Sequence, residues 1–369
     1  MATTGRCAVL HEYGQPLELR EYPVPTPGPG EILLRVAQGS ICGSDLHMWR
    51  CDSQSIAIPP GGRALGHEGS GVVAQLGPGI DTDSLGLPLR VGDRVVHSII
   101  AGCGRCVQCL GGRINLCSNK PPARSCESAP HFFGTFADYF FVPANVAVFR
   151  VPDELSDDVV APVNCAMATV MQGLLDAGVT SGTSVVCIGA GGLGLAGVAL
   201  AKHLGAGNVV VLDRLAPRLK LAQQFGADSL IDVSKLSDTS DRIAAVHDAT
   251  HGGADVVLEL VGVPELLPEG VSMLARGGTF VEIGVFFSGR TVALDPATLV
   301  TTGRRIVGSN GYEPSVVPRI LEYLVTARDQ LPFDRLVSHR FALDNINQAF
   351  LDSDWSSRET PVVRAVVQP

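Results

Sequence analysis

Apolar and polar residues alternate in two different textures along this chain. Up to about residue 160 the apolar positions come in short runs, among them Glu31–Val36, Gly69–Leu76 and Asp93–Ile99, set off by turn sequences such as Pro27-Gly28-Pro29-Gly30. Runs of this kind predict short β-strands in a barrel-like or sandwich-like domain. From about Ala161 the texture changes. Thr183–Ile188 and Asn208–Leu212 predict buried strands, Gly191–Leu204 and Ala216–Phe225 the helices that follow them, and Ala254–Leu258, Thr279–Ile283 and Arg305–Val307 further strands. Strands alternating with helices imply βαβ units and a parallel sheet. After about Gly311 the pattern predicts one helix over Pro314–Ala327 and a strand-like end, Pro361–Val367, a tail expected to return to the first domain.

Composition narrows the class. The 369 residues exceed what one hydrophobic core usually serves, so two domains are expected. With 46% hydrophobic and 18% charged residues the chain reads as folded rather than disordered. A net charge of −9 without any basic run argues against nucleic acid and anionic membranes as partners. Met1–Val9 lacks the pattern of a signal peptide, and no apolar stretch of spanning length is free of charge and glycine, so a cytoplasmic location is expected. Ten cysteines in a reducing compartment point to metal binding or catalysis rather than to disulfides.

Four of them cluster. Cys103, Cys106, Cys109 and Cys117 follow a C-x2-C-x2-C-x7-C spacing, with Gly102, Gly104, Gly111 and Gly112 supplying turn freedom. Thiolates two residues apart converge on one ion when a turn folds the chain back, and four sulfurs close the coordination shell. A structural zinc is therefore expected. An iron–sulfur cluster is the competing reading; no proline follows the last cysteine and no second cluster motif is present. Elsewhere SICGSDLH and GHEG place Cys42 and His67 at separate strand or loop ends, a thiolate and an imidazole able to open a zinc site with one position free. Taken singly, a cysteine next to glycine is more often a small core residue, and a lone histidine more often a structural hydrogen-bonder.

The clearest motif is TSVVCIGAGGLG. Gly189, Gly191 and Gly194 form GxGxxG after a strand and at the start of a helix that also opens with Gly192 and Leu193. The first glycine allows the tight turn, the second lets pyrophosphate approach, and the third lets helix and strand pack. Pyrophosphate then rests on the helix N-terminus, where unpaired N–H groups favour an anion. The next strand leads into Asp213, 24 residues after Gly189. An acid there accepts hydrogen bonds from ribose hydroxyls and repels a 2′-phosphate, which favours NAD over NADP. Arg214 directly follows and would instead greet that phosphate.

With these motifs in this order, together with VGDRVV, GADVVLELVG and termini GRCAVL and VVRAVV, the chain resembles the zinc-containing medium-chain dehydrogenase/reductase family over nearly its whole length. The resemblance implies an α/β architecture, a GroES-like β-rich catalytic domain over residues 1–160 with 312–369 and a Rossmann domain over 161–311. It implies a zinc-dependent alcohol dehydrogenase moving a hydride between an alcohol and NAD, with two zinc ions per chain. The catalytic zinc would be held by Cys42, His67 and Cys165, with Glu68 able to approach it and Asp45 orienting the histidine. Ser44 and His47 match the proton relay. Gly189, Gly191, Gly192, Leu193, Gly194, Asp213, Arg214, Arg218, Val261, Ile283, Val285 and Arg364 match cofactor contacts, while Trp49, Ile99, Phe132 and Phe133, with Val285, match a substrate wall whose apolar character suggests an apolar or ring-bearing alcohol or aldehyde. An acid usually replaces Cys165 in the polyol and threonine branches, so the alcohol branch is the better match. Gly43 departs from members that carry an arginine or histidine there against the pyrophosphate. The family forms homodimers and homotetramers, and Gly284–Val292 is the candidate contact. An NADP-preferring aldehyde or ketone reductase, a zinc-free reductase of the same superfamily and a non-catalytic NAD-binding structural protein are the rival readings.

Overall fold

The computed structural model describes residues 3–51, 57–120, 124–285, 289–355, 360 and 362–369. The central residues of the candidate subunit contact, 286–288, lie outside them. The chain divides into two compact units, residues 1–165 with 313–328 and 333–369, and residues 166–312 with 329–332. The break thus falls five residues later than the sequence texture suggests, and 329–332 joins the second unit.

The first unit begins with strands β1 (Thr4–Leu10), β2 (Glu18–Pro23) and β3 (Ile32–Ser40), helix α1 (Gly43–Arg50), and strands β4 (Arg63–Ala64), β5 (Glu68–Leu76) and β6 (Arg94–Ala101). A lobe with the short helix α2 (Val107–Leu110) precedes β7 (Tyr139–Val142), β8 (Val146–Arg150) and α3 (Asp157–Val160). The second unit carries α4 (Ala168–Asp176), β9 (Ser184–Ile188), α5 (Gly192–His203), β10 (Asn208–Asp213), α6 (Ala216–Gln224), β11 (Ser229–Asp232), α7 (Thr239–Ala249), β12 (Ala254–Glu259), α8 (Leu266–Ser272), β13 (Leu274–Glu282), α9 (Pro296–Thr302) and β14 (Arg305–Gly308). The tail then supplies α10 (Val316–Ala327), β15 (His339–Ala342), α11 (Ile346–Ser353) and β16 (Ala365–Gln368) to the first unit.

In the first unit a seven-stranded sheet runs β15-β16-β3-β5-β6-β8, with β7 also paired to β3, and β2-β1-β4 form a smaller sheet. Antiparallel pairing around β3 joins β16 from the far end of the chain to β5, so the tail is integral to this unit. Ile32, Leu34 and Val36 alternate inward from β3 and pack on Val73, Val95 and Phe140, as period-two side-chain alternation requires.

The second unit is a six-stranded parallel sheet in the order β11-β10-β9-β12-β13-β14, the doubly wound arrangement of a Rossmann fold. Its inner strands read as unbroken apolar runs (SVVCI, NVVVLD) because helices cover both faces. Strand β13 starts earlier than the expected Thr279. Ala254 pairs with Leu274 across a register shift, and that irregular pairing draws Arg276-Gly277-Gly278 into the strand despite their poor strand propensity. Among the described residues one helical stretch, Asp157–Asp176, is long and apolar enough to cross a membrane, but it is largely buried inside the protein.

Candidate active site

β3 hands the chain to Cys42, the extended residue before α1 (φ −91°, ψ 156°). The Cys42 N–H donates to Asp45 Oδ2 at 3.0 Å. The other oxygen of this buried carboxylate accepts the Gly66 N–H at 3.2 Å and lies 3.2 Å from His67 Nδ1. One side chain therefore ties the start of α1 to the turn carrying His67. With Nδ1 turned to Asp45, Nε2 is left to face a metal. Gly66 at φ +89° makes that turn possible, since a Cβ there would lie 2.6 Å from Thr135 Oγ1.

Cys165 comes from a π-helical turn, Val163–Met167, and its Sγ lies 4.0 Å from Cys42 Sγ. One ligand atom each from Cys42, His67, Glu68 and Cys165 falls within 4.8 Å of the others. Two thiolates on one tetrahedral zinc stand roughly 3.8 Å apart, given Zn–S bonds near 2.3 Å. The donor set and its spacing therefore fit zinc. The Cys42 thiol is held well below its ordinary pKa, first by the hydrogen bond with the Cys165 sulfur and then by His67, while Cys165 is pushed up. Ser44 Oγ lies 3.4 Å from His67 Nε2, on the ligand side of the ring.

Arg364, expected among the cofactor contacts, lies beside Glu68. Its guanidinium is buried and ion-paired with Glu68, and it donates to Ser40 Oγ at 2.8 Å. A fully buried carboxylate needs a partner; here burial still pushes Glu68 up to about 7 against the pull of Arg364. His47 lies one helical turn beyond Ser44, its Nδ1 3.1 Å from Arg50 Nη2 and its ring edge-on to Trp355. A guanidinium can only donate, so Nδ1 accepts and the neutral ring carries its proton on Nε2.

The four-cysteine lobe also converges, with Cys103, Cys106, Cys109 and Cys117 sulfurs within 4.8 Å of one another. Backbone N–H groups of Cys103 and Asn119 donate to Cys117 Sγ at 3.3 and 3.4 Å. Backbone hydrogen bonds, from Cys109 first, bring the Cys106 thiol down to about 5, whereas burial raises Cys109 to about 11. Donors aimed at sulfur favour the thiolates that a cation needs. Gly104 and Gly112, at φ +70° and +78°, turn the lobe back on itself.

In the second unit Gly189 adopts φ +100°, and a Cβ on Gly194 would fall 2.0 Å from Gly189 O. These two glycines are required by the turn and the helix–strand contact. A Cβ on Gly191 would meet only Arg218 Nη1, at 3.9 Å, so Gly191, Gly192 and Leu193 open α5 under an uncrowded space that Arg218 borders. Asp213 accepts the Ala190 N–H at 2.7 Å and the Leu215 N–H at 2.8 Å, while Arg214 is exposed. The Val261 N–H donates to Glu259 Oε1 at 2.8 Å and the Val285 N–H to Glu282 Oε1 at 3.1 Å. Glu259 is pushed up to about 8, first by burial and then by Glu282 beside it. The sequence reading passed over this carboxylate pair; the signal was an acid inside the otherwise apolar run VVLEL. The Ile283 side chain packs against Gly173 of α4.

The expected substrate wall is divided. Phe132 is fully buried, packed between Tyr22 and Tyr139 in a core with Cys7, Val9 and Phe141, so it is a core residue and not a wall. A cis Ala129-Pro130 peptide and His131 at φ +66° precede the Phe132-Phe133 pair, and Phe133 next to Phe132 is only partly buried, with Arg124 over its ring at 4.5 Å. Trp49 donates its indole N–H to Gln15 O at 2.8 Å and stacks edge-on against Phe350. Ile99 is partly buried on β6.

Comparison with known proteins agrees with this construction. Residues 28–153 match the family of the alcohol dehydrogenase GroES-like domain and residues 192–326 that of the zinc-binding dehydrogenases. The chain is 30% identical over 345 residues to a 5-exo-hydroxycamphor dehydrogenase of Pseudomonas putida, covering 93% of this chain and 94% of that one. It is 33% identical to an L-threonine 3-dehydrogenase of Thermococcus kodakarensis, covering 90% of each. Among solved structures it resembles an alcohol dehydrogenase of Thermotoga maritima (29% identity, TM-score 0.90, all of both chains) and benzyl alcohol dehydrogenase of Acinetobacter calcoaceticus (30%, TM-score 0.84, 99% of both). A zinc-binding dehydrogenase of Sinorhizobium meliloti, solved with NADP, matches at 28% identity and TM-score 0.82 over all of both chains. The chain belongs to the zinc-dependent medium-chain dehydrogenase/reductase family. It is an oxidoreductase that uses a nicotinamide cofactor.

Proposed function

We propose that this enzyme interconverts an alcohol and its carbonyl compound with NAD, using one catalytic and one structural zinc per chain. The convergence of Cys42, His67 and Cys165, three donors from distant segments, carries this reading. Three protein ligands would leave a zinc ion one position for substrate, whereas four cysteines would fill the coordination shell of the other ion. When bound, zinc supplies Lewis acidity that lowers an alcohol's pKa, and the nicotinamide accepts the hydride.

The chain's own residues supply the rest. Asp45 holds the His67 ring in one tautomer and orientation. Arg364 neutralises Glu68, so the carboxylate need not compete for the metal. Ser44 would accept the alcohol's proton while releasing its own to the cofactor ribose, from which His47 would pass a proton outward to solvent. With Nδ1 held by Arg50, His47 takes up a proton only when that hydrogen bond opens.

Asp213 supports NAD. Its oxygens are already aligned by two backbone N–H groups and keep lone pairs for ribose hydroxyls, and its charge repels a 2′-phosphate. Asp213→Asn keeps the shape and removes the charge. The ratio of kcat/KM values, NAD over NADP, is expected to fall by roughly 10-fold or more in initial-rate assays, since a hydrogen bond to a charged group contributes about 1.5–3 kcal/mol. An unchanged ratio counts against this role.

Two relatives are named for ring-bearing alcohols, benzyl alcohol and hydroxycamphor, and others for threonine. With a cysteine at position 165, the ring-bearing class is the better assignment. Benzyl alcohol, a bicyclic secondary alcohol and threonine, each followed by NADH absorbance beside metal analysis, test it. Turnover of a ring-bearing alcohol by protein holding two zinc ions supports the reading. Turnover of threonine alone overturns the substrate class, and no turnover of any alcohol by two-zinc protein overturns the function.

A further inference from the structure

The three segments that meet at Cys42, His67 and Cys165 must be held in register by something other than the metal, or the site would have to be assembled anew each time an ion bound. Asp45 links the first segment to the second. The link between the second and the third is the residue preceding Cys165.

Asn164 is completely buried. Its Oδ1 accepts the Gly69 N–H at 3.1 Å, and its Nδ2 donates to His67 O at 3.3 Å and to His97 O at 2.9 Å. Both amide hydrogens and one oxygen lone pair are thus in use, and the side chain brackets the backbone on either side of Glu68. The location matters as much as the count. Strands β5 and β6 pair antiparallel at Val72–Arg94, Gly71–Val95 and Ser70–Val96. The next pair in that register is Gly69 and His97, and these two residues bond to the carboxamide instead of to each other. Asn164 is inserted where the ladder stops, one step before the His67-Glu68 end of β5. The His97 ring on the other side of this junction is stacked on Phe140 at 4.1 Å, and burial lowers its pKa to about 4, so it stands as a neutral, packed wall. The π-helical turn at Val163–Met167 widens the backbone at this point and carries Asn164 and Cys165 together to the strand end.

We propose that Asn164 is a positioning residue for the catalytic metal: wedged between β5 and β6, its carboxamide sets the separation of the Cys165 sulfur from the His67 imidazole, and thereby how tightly the site holds its ion. The proposal rests on the reading that Cys42, His67 and Cys165 hold that ion. Asn164 touches neither metal nor substrate in this role. It acts on the ligands through their backbone, as groups behind a ligand shell commonly do.

The test uses zinc-loaded wild type, Asn164→Ala and Asn164→Asp. Asp has nearly the same size and keeps the acceptor for Gly69, but replaces both donors by a carboxylate oxygen facing two carbonyls. Zinc release to excess 4-(2-pyridylazo)resorcinol is followed, together with the visible spectrum of cobalt-substituted protein. The four-cysteine lobe in the same molecule is the internal control. Release from one site is expected to accelerate by roughly 10- to 100-fold in both variants, the range for removing a supporting hydrogen bond behind a ligand. The other phase is expected to be unchanged, and the cobalt bands of the two-sulfur site to shift. Unchanged release and spectrum in both folded variants would overturn the proposal. If neither variant folds, wild type decides: stripping the catalytic ion is expected to raise amide exchange at Gly69, because coupling between ligand and hydrogen bond is reciprocal, and unaltered exchange overturns it. Wild type that binds zinc only in the four-cysteine lobe would instead sink the functional reading itself, a result distinct from either.

Discussion

Replacing Cys42 by alanine is expected to leave one zinc per chain and to lower kcat/KM for the alcohol by ~10³-fold or more, because a zinc-bound oxygen ionises near pH 7 where free water needs about 15.7. The argument starts from position. Cys42 stands at the head of α1, its N–H fixed by Asp45 and its sulfur 4.0 Å from Cys165. Removing it deletes a thiolate and leaves two ligands, too few to hold a Lewis acid with one open site. The helix itself should survive, since Asp45 still bonds Gly66 and faces His67. Metal analysis and initial rates check this, with melting temperature as the control for folding. A variant that keeps two zinc ions, or retains activity within about 10-fold of wild type, contradicts the assignment of the catalytic ligand.

Replacing Cys106 by alanine is expected to give the opposite pattern: again one zinc per chain, but with the loss falling on stability. The lobe over residues 103–117 holds little secondary structure beyond α2 and a short helical turn, and Val107 and Leu110 are exposed rather than packed. Its order depends on four sulfurs sharing an ion, so metal binding and folding of the lobe are one event. The melting temperature is expected to fall by roughly 10 °C. Trypsin is expected to cut at Arg105 or Arg113 in the variant and to leave both intact in zinc-loaded wild type. Activity per remaining zinc is expected to fall far less than in the Cys42 variant. Protection from trypsin equal to wild type contradicts a structural role for the lobe.

These two sites were unequally legible. The four cysteines lie within fifteen positions of one another, and their spacing alone points to one shared metal site. Cys42, His67 and Cys165 span more than 120 positions, and each is ambiguous by itself; only the resemblance joined them beforehand. The glycine turn was readable because its conformation is a local requirement: Gly189 at positive φ and Gly194 against a carbonyl leave no room for a side chain. The partner of Arg364 was not readable, for the opposite reason. A lone arginine near a chain end carries no mark of its partner, and Glu68, its partner, lies almost three hundred positions away. Phe132 and Phe133 are adjacent and chemically identical, and nothing in the local pattern says which ring the fold buries.

Hydrophobic periodicity and glycine placement were thus sufficient to settle the two textures, the strand-helix alternation of the parallel sheet and the glycine turn that opens α5, because these depend on neighbours within a few residues or one helical turn. Sheet pairing decided the rest. Antiparallel contact of β16 with β3 brings Arg364 to Glu68, and the interrupted β5–β6 ladder admits Asn164 and, with it, Cys165. Such contacts join residues whose separation along the chain carries no information about their separation in space.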